Sequence, residues 1–210
     1  MPGFELIGKE EYNQVSQLFK KSKTLFRMGF ENIRKGIFKV DEFEKKFSKK
    51  LKCNYSLAVT SGTAALRVAL ASLNLKSTDE IITQSFTFVA TVEAIIESRA
   101  KPVIAEIDET LNMDPEDLKK KINRKTKVVI IVHMLGVPAK INEIKKICKK
   151  RNIILIEDTA WGCGGKLDNK FLGTHGDIGA FSFDFAKTLT TGEGGMIVFK
   201  SKRLYEKAKA

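Results

Sequence analysis

The chain has 210 residues, 43% of them hydrophobic and only 4 prolines, which suits one sizeable folded domain and argues against disorder. No apolar run approaches the roughly 20 residues of a membrane-spanning helix, and the opening segment meets Lys9-Glu10-Glu11 too early to form a secretory signal core. The net charge of +12 lies in lysine runs such as Lys119-Lys120-Lys121 and Lys149-Lys150-Arg151, interleaved with Leu118, Ile122, Ile144 and Ile147; this reads as solvated helix faces, not as a nucleic-acid surface.

Residues 1–54 read as a helical lead-in packed on the main domain. Val15, Phe19 and Phe26 fall on one helical face, and Val40, Phe43, Phe47 and Leu51 recur at three and four residues. Asp41 and Glu42 stand early in that second helix and Lys49, Lys50 and Lys52 late, as the helix dipole favours. Gly29 and Gly36 punctuate the join. Cys53, Cys148 and Cys163 are odd in number and widely spaced, without the close pairs of a zinc or redox motif, so a reducing cytoplasm is expected and no metal site.

From Tyr55 strands and helices alternate. Leu57-Ala58-Val59 turns through Thr60-Ser61-Gly62-Thr63 into a helix beginning Ala64-Ala65-Leu66. Strand, Ser-Gly-Thr, helix suits an anion, because free amides and hydroxyls converge there, although serine and threonine are also ordinary helix caps. Further strands are expected at residues 80–83, 101–107, 127–133 and 153–157. Helices follow at residues 89–96, after the Asp114-Pro115 start signal, and at residues 141–150. The alternation predicts an α/β fold, a mostly parallel sheet sandwiched by helices, with ligands at the C-terminal edge of the strands.

The last stretch carries the chemistry. Glu157-Asp158 ends an apolar strand, glycines follow at 162, 164 and 165, and Phe181-Ser182-Phe183 precedes Lys187 and Thr190-Thr191-Gly192-Glu193-Gly194-Gly195. A strand-end carboxylate, a serine ahead of a lysine, and flanking glycines are the parts that hold an anionic aromatic cofactor bonded to a lysine, which points to pyridoxal 5'-phosphate.

Several of these motifs, in this order, resemble the DegT/StrS family of nucleotide-sugar aminotransferases: Ser61-Gly62-Thr63-Ala64-Ala65-Leu66, Thr87-Phe88-Val89-Ala90-Thr91, His133-Met134-Leu135-Gly136-Val137-Pro138-Ala139, Glu157-Asp158-Thr159-Ala160, and Phe181-Ser182-Phe183 with Lys187. The resemblance implies the fold-type I large domain over residues 55–210, with pyridoxal 5'-phosphate as cofactor. It implies that Lys187 bonds the cofactor and later moves a proton, and that Asp158 pairs with the pyridine nitrogen. Gly62, Thr63, Ala64 and Ser182 would bind the phosphate, and Phe88 would stack on the ring, though an apolar segment leaves a core position open for Phe88. Glu193 is read as shaping the lysine loop only.

The implied reaction moves an amino group from an amino acid, glutamate in the first instance, to a nucleotide-linked keto-sugar, in a homodimer. Two departures stand out. Trp161 occupies the position where many relatives place Gln or His near the cofactor's 3'-oxygen, and the chain stops at Ala210 where relatives continue into a small C-terminal domain, so it resembles the large domain alone. Three other readings stay open: a sugar dehydratase, whose resembling members carry histidine in place of the lysine; an incompetent fragment or half of a split enzyme; and a basic nucleic-acid-binding regulator, for which no recognition element is found.

Overall fold

A computed structural model describes residues 3–22 and 27–210, so the expected place of Phe26 on a helical face lies outside the described residues. The strands are β1 (Tyr55–Val59), β2 (Glu80–Gln84), β3 (Lys101–Ala105), β4 (Thr126–Val132), β5 (Ile154–Asp158), β6 (Lys166–Leu167), β7 (Lys170–Phe171), β8 (Ile178–Ser182) and β9 (Gly195–Phe199). Seven of them form one sheet in the order β1-β9-β8-β5-β4-β2-β3, while β6 and β7 pair as a separate hairpin. Only β9 runs against its neighbours β1 and β8. The sheet is therefore mostly parallel, as the strand-helix alternation predicted, and β9 returns antiparallel beside β8 after a loop, residues 183–194, that contains no helix to carry the chain back across the sheet.

The helices are α1 (Lys9–Lys21), α2 (Glu31–Arg34), α3 (Lys39–Leu51), α4 (Gly62–Ala71), α5 (Val89–Glu97), α6 (Pro115–Lys121), α7 (Ile141–Lys150) and α8 (Lys202–Lys209). Side chains alternate across a strand, so the continuous apolar run of β4 serves both faces. Val128 and Ile130 pack under Leu66 and Leu70 of α4 and Ile95 of α5. Val129 and Ile131 meet Leu118 of α6 and Ile141 and Ile144 of α7 on the other side. Asp114 caps α6, accepting from the Glu116 amide at 2.9 Å, with Pro115 in the first turn as expected.

Before residue 55 the two long helices behave differently. Phe47 and Leu51 of α3 are buried with Phe181, Phe183, Met196 and Val198, and the Phe47 ring stands edge-on to Phe181 at 5.1 Å and to Phe183 at 5.6 Å. The expectation that the lead-in packs on the main domain fails for α1, which buries none of its residues. Val15 remains 54% exposed and Phe19 51%. Its apolar stripe is short, its other positions are Lys, Glu, Tyr, Asn, Gln and Ser, and among the described residues Leu18 faces Ile37 and Phe38 only across a cavity.

Candidate active site

The C-terminal ends of β4, β5 and β8 and the amino ends of α4 and α5 converge on a cavity of about 370 Å³. Its lining includes Gly62, Thr63, Phe88, Asp158, Ser182 and Lys187. Six of the seven residues singled out from sequence are thus brought to one cavity. The seventh, Ala64, is placed differently: it does not line the cavity, and its amide donates to Ser61 Oγ at 3.0 Å as an ordinary helix cap. Among the described residues, no protein group accepts from the amides of Gly62 and Thr63, the first two of α4. These are the orphan donors of a helix start, and an anion is their natural partner.

Gly62 is required by close approach. A Cβ there would lie 2.7 Å from Ser182 Cβ and 3.2 Å from its Oγ. Without a side chain, the first turn of α4 lies against the end of β8, so the free amides and the Ser182 hydroxyl face the same space. Phe88, at the start of α5, is 67% exposed and lines the cavity, which excludes the core position that its apolar neighbours had left open.

Asp158 ends β5 and is buried. Its Oδ2 accepts from Thr91 Oγ1 at 3.0 Å and its Oδ1 from the Ala160 amide at 3.1 Å. Burial pushes its carboxyl above the ordinary range, and the Ala160 and Thr91 bonds and the Lys187 charge only partly offset this. A carboxylate so placed is short of a cation, and the open side is the cavity. Lys187, in the loop from β8 to β9, is held below the ordinary lysine range by burial, against the opposing pull of Asp184 and Asp158. That raises the neutral, nucleophilic fraction of its amine.

Several contributors were not identified from sequence. Thr91, inside a quoted motif, is a donor to Asp158, and Thr87 Oγ1 donates to Thr91 Oγ1 at 2.9 Å, leaving the Thr91 hydrogen for the carboxylate. Their spacing of four on a helix start was the available signal. Glu193, read as shaping the loop, lines the cavity. Trp161, expected near the site as a departure from the family pattern, lines the cavity too; its contact with Lys187, whose Nζ lies 3.5 Å from the centre of its ring, was not expected.

Behind the site lies a second, fully buried constellation. Glu157 Oε2 accepts from His133 Nε2 at 2.9 Å and from the Gly173 amide at 2.8 Å, while Oε1 accepts from the Gly176 amide at 2.5 Å. The Ala139 amide donates to His133 Nδ1 at 3.1 Å, so the imidazole hydrogen sits on Nε2. Burial alone would raise the Glu157 carboxyl; the His133 bond and the two amides outweigh it and hold it below the ordinary range. Being adjacent on a strand, Glu157 and Asp158 face opposite sides of the sheet.

The sequence pattern of the DegT/DnrJ/EryC1/StrS aminotransferase family matches residues 19–210. The chain belongs to this family. As a member, it is 41% identical to the GDP-perosamine synthase of Vibrio cholerae over 169 residues, 80% of this chain and 46% of that protein. Its fold superposes on the aminotransferase from Psychrobacter cryohalolentis with a TM-score of 0.88 at 31% identity, covering 97% of this chain and 50% of the other. The E coli GDP-4-keto-6-deoxy-D-mannose-3-dehydratase, whose structure holds hydrated PLP, gives 0.85 at 31%, covering 95% and 51%. The chain spans about half the length of the curated relatives it matches.

Proposed function

We propose that this chain is the cofactor-binding part of a pyridoxal 5'-phosphate-dependent sugar aminotransferase, with residues 55–210 as its large domain. One observation carries the reading: an amine of lowered basicity on Lys187, a buried carboxylate short of a cation on Asp158, and the unpartnered amides of Gly62 and Thr63 all line one cavity. These residues fit the cofactor group by group, and the related dehydratase solved with hydrated PLP supports the choice. Bound there, pyridoxal phosphate supplies an aldehyde carbon and an electron-withdrawing ring through which an amino group passes between two substrates.

The chain's own residues do the rest. The Gly62 and Thr63 amides and the Ser182 hydroxyl hold the phosphate, and Gly62 lets all three reach it. Asp158 would hold a proton on the ring nitrogen, and that positive charge would favour the carboxylate form that burial disfavours. Thr91 and the Ala160 amide fix its orientation. Phe88 would stack on the ring and shield it from water. Lys187 would hold the cofactor through its amine, and that amine, its basicity lowered by burial, would serve as the base that takes up and returns a proton at Nζ.

The donor is an amino acid, glutamate first among candidates, and the acceptor a keto-sugar linked to a nucleotide, a class supported by the similarity to GDP-perosamine synthase. The working form is a cytoplasmic homodimer, and among the described residues no helix is long and apolar enough to cross a membrane. The dehydratase reading is disfavoured by Lys187. The test is a visible absorption spectrum of the purified chain with added pyridoxal phosphate. A new band, fixed by borohydride as added mass on Lys187 and absent in Lys187→Ala, is expected. A band that persists in Lys187→Ala would overturn the assignment.

A further inference from the structure

Lys187 is held at both ends. At its root, the Gly3 amide donates to the Lys187 carbonyl at 2.8 Å, and a Cβ on Gly3 would lie 2.8 Å from the Thr188 oxygen and 2.9 Å from that of Lys187. Phe4 packs beside Phe185 with ring centres 5.9 Å apart. The loop backbone is therefore pinned by the amino-terminal segment. At its tip, Nζ sits 3.5 Å from the centre of the Trp161 ring, well inside the range in which an indole face attracts an ammonium.

Trp161 is itself firmly placed. The turn that carries it starts at Asp158, is closed by the Ala160 amide on Asp158 Oδ1 at 3.1 Å, and is tightened by the Gly162 amide on the Thr159 carbonyl at 3.1 Å. One turn thus presents both the carboxylate and the indole to the cavity. The indole offers no acceptor, and its N–H is a donor only. Its contact with Lys187 discriminates between charge states, because the ring quadrupole attracts the ammonium and gives a neutral amine no comparable hold.

We infer that Trp161 is a positioning residue for Lys187: its indole face parks the ammonium against the cavity wall and releases the amine to a carbonyl ligand when the proton leaves. The inference rests on the reading of Lys187 as the reactive amine. The other charged groups around Nζ are Asp184 of the same loop, Asp158 at the end of β5, and Glu193 in the cavity lining. Asp184 and Asp158 also favour the ammonium, and the Trp161 face adds to them. Burial opposes them. Loss of the indole therefore shifts the amine toward its neutral form.

The test uses the full chain without cofactor, so it stands apart from the pyridoxal phosphate reading. Wild type, Trp161→Phe and Trp161→Leu are labelled with acetic anhydride from pH 7 to pH 10. Acetylation of Lys187 is followed by peptide mass spectrometry against exposed Lys149 in the same digest. A phenyl face attracts a cation more weakly than an indole and an isobutyl group not at all. The pH midpoint of Lys187 labelling should therefore fall in the order wild type, Phe, Leu. At pH 8 the leucine variant should label about three- to thirtyfold faster than wild type.

Easier access alone would raise the high-pH plateau and leave the midpoint in place, so an unmoved or raised midpoint overturns the inference. The conservative Phe variant guards against misfolding of the Leu variant. As the chain's sole tryptophan, Trp161 gives a second readout. Its emission should titrate with Lys187 in wild type and lose that transition in Lys187→Met; a transition unchanged in Lys187→Met refutes the contact. A correct labelling order without any pyridoxal phosphate binding would support the Trp161 contact and sink the cofactor reading alone.

Discussion

Glu157→Gln is the sharpest test of how this site is supported, because it changes one buried atom and leaves the cavity untouched. The carboxylate takes three bonds, with His133 Nε2 and the Gly173 amide on Oε2 and the Gly176 amide on Oε1. Glutamine has one acceptor oxygen. With that oxygen in the Oε2 position, its NH2 faces the Gly176 amide, donor against donor. Flipped, it faces two donors. His133 cannot relieve the conflict by moving its hydrogen to Nδ1, since the Ala139 amide already donates there. Losing one charge-assisted bond with a buried amide left unmet costs about 1.5–3 kcal/mol, and making the other two bonds neutral costs about 0.5–1 kcal/mol each. Relief from burying a charge offsets part of this, leaving a net loss of about 2–3 kcal/mol. For a chain of this size that is about 4–12 °C in melting temperature.

The assay is denaturant and thermal unfolding of the cofactor-free protein across pH. Because Glu157 is held below its ordinary pKa when folded, the unfolded chain binds more protons as the pH drops. Its stabilisation is therefore complete above the ordinary carboxylate range, near about pH 4.3, and is lost as pH falls through the lower folded-state value. Wild type should lose stability on acidification more steeply than Glu157→Gln. A variant within about 0.5 kcal/mol of wild type at pH 7, or one with the same acid slope, would refute the reasoning.

Gly62→Ala places a methyl 2.7 Å from Ser182 Cβ; the amino end of α4 must withdraw, and the dissociation constant for pyridoxal phosphate, read by equilibrium dialysis, should rise about tenfold or more. Unchanged affinity would remove Gly62 from the phosphate cradle. Asp158→Asn keeps the shape and takes away the charge that holds the ring-nitrogen proton. Cofactor binding should persist while the single-turnover rate with an amino donor falls at least about a hundredfold, roughly 2.7 kcal/mol of barrier. A near-normal rate would contradict the role proposed for Asp158.

Much of the site was legible because its residues mark the ends of elements, and ends carry local signals. Asp158 closes an apolar run, Gly62 sits between a strand and a helix, and Ser182 and Lys187 follow the next strand. What stayed hidden are pairings that only register decides. Glu157 faces Ile131 across β4 and β5, and that alignment brings His133, 24 residues away, to its carboxylate. Thr91 reaches Asp158 over 67 residues. Neither separation has a periodic trace in the sequence.

The misreadings have the same origin. The Ser61-Gly62-Thr63-Ala64 motif says that amides gather at a helix start, yet only the bond from Ala64 to Ser61 shows which amides remain for a ligand. The spacing of Val15 and Phe19 says which face of α1 is apolar, and nothing in spacing says whether another surface covers it. Periodicity specifies an element and its orientation; partnership is a property of two elements, and a single chain read in order contains it only where the partners are neighbours. That is why the residues proposed to act on the cofactor could be named in advance, while the pairings that support them, Thr91 with Asp158 and His133 with Glu157, could not.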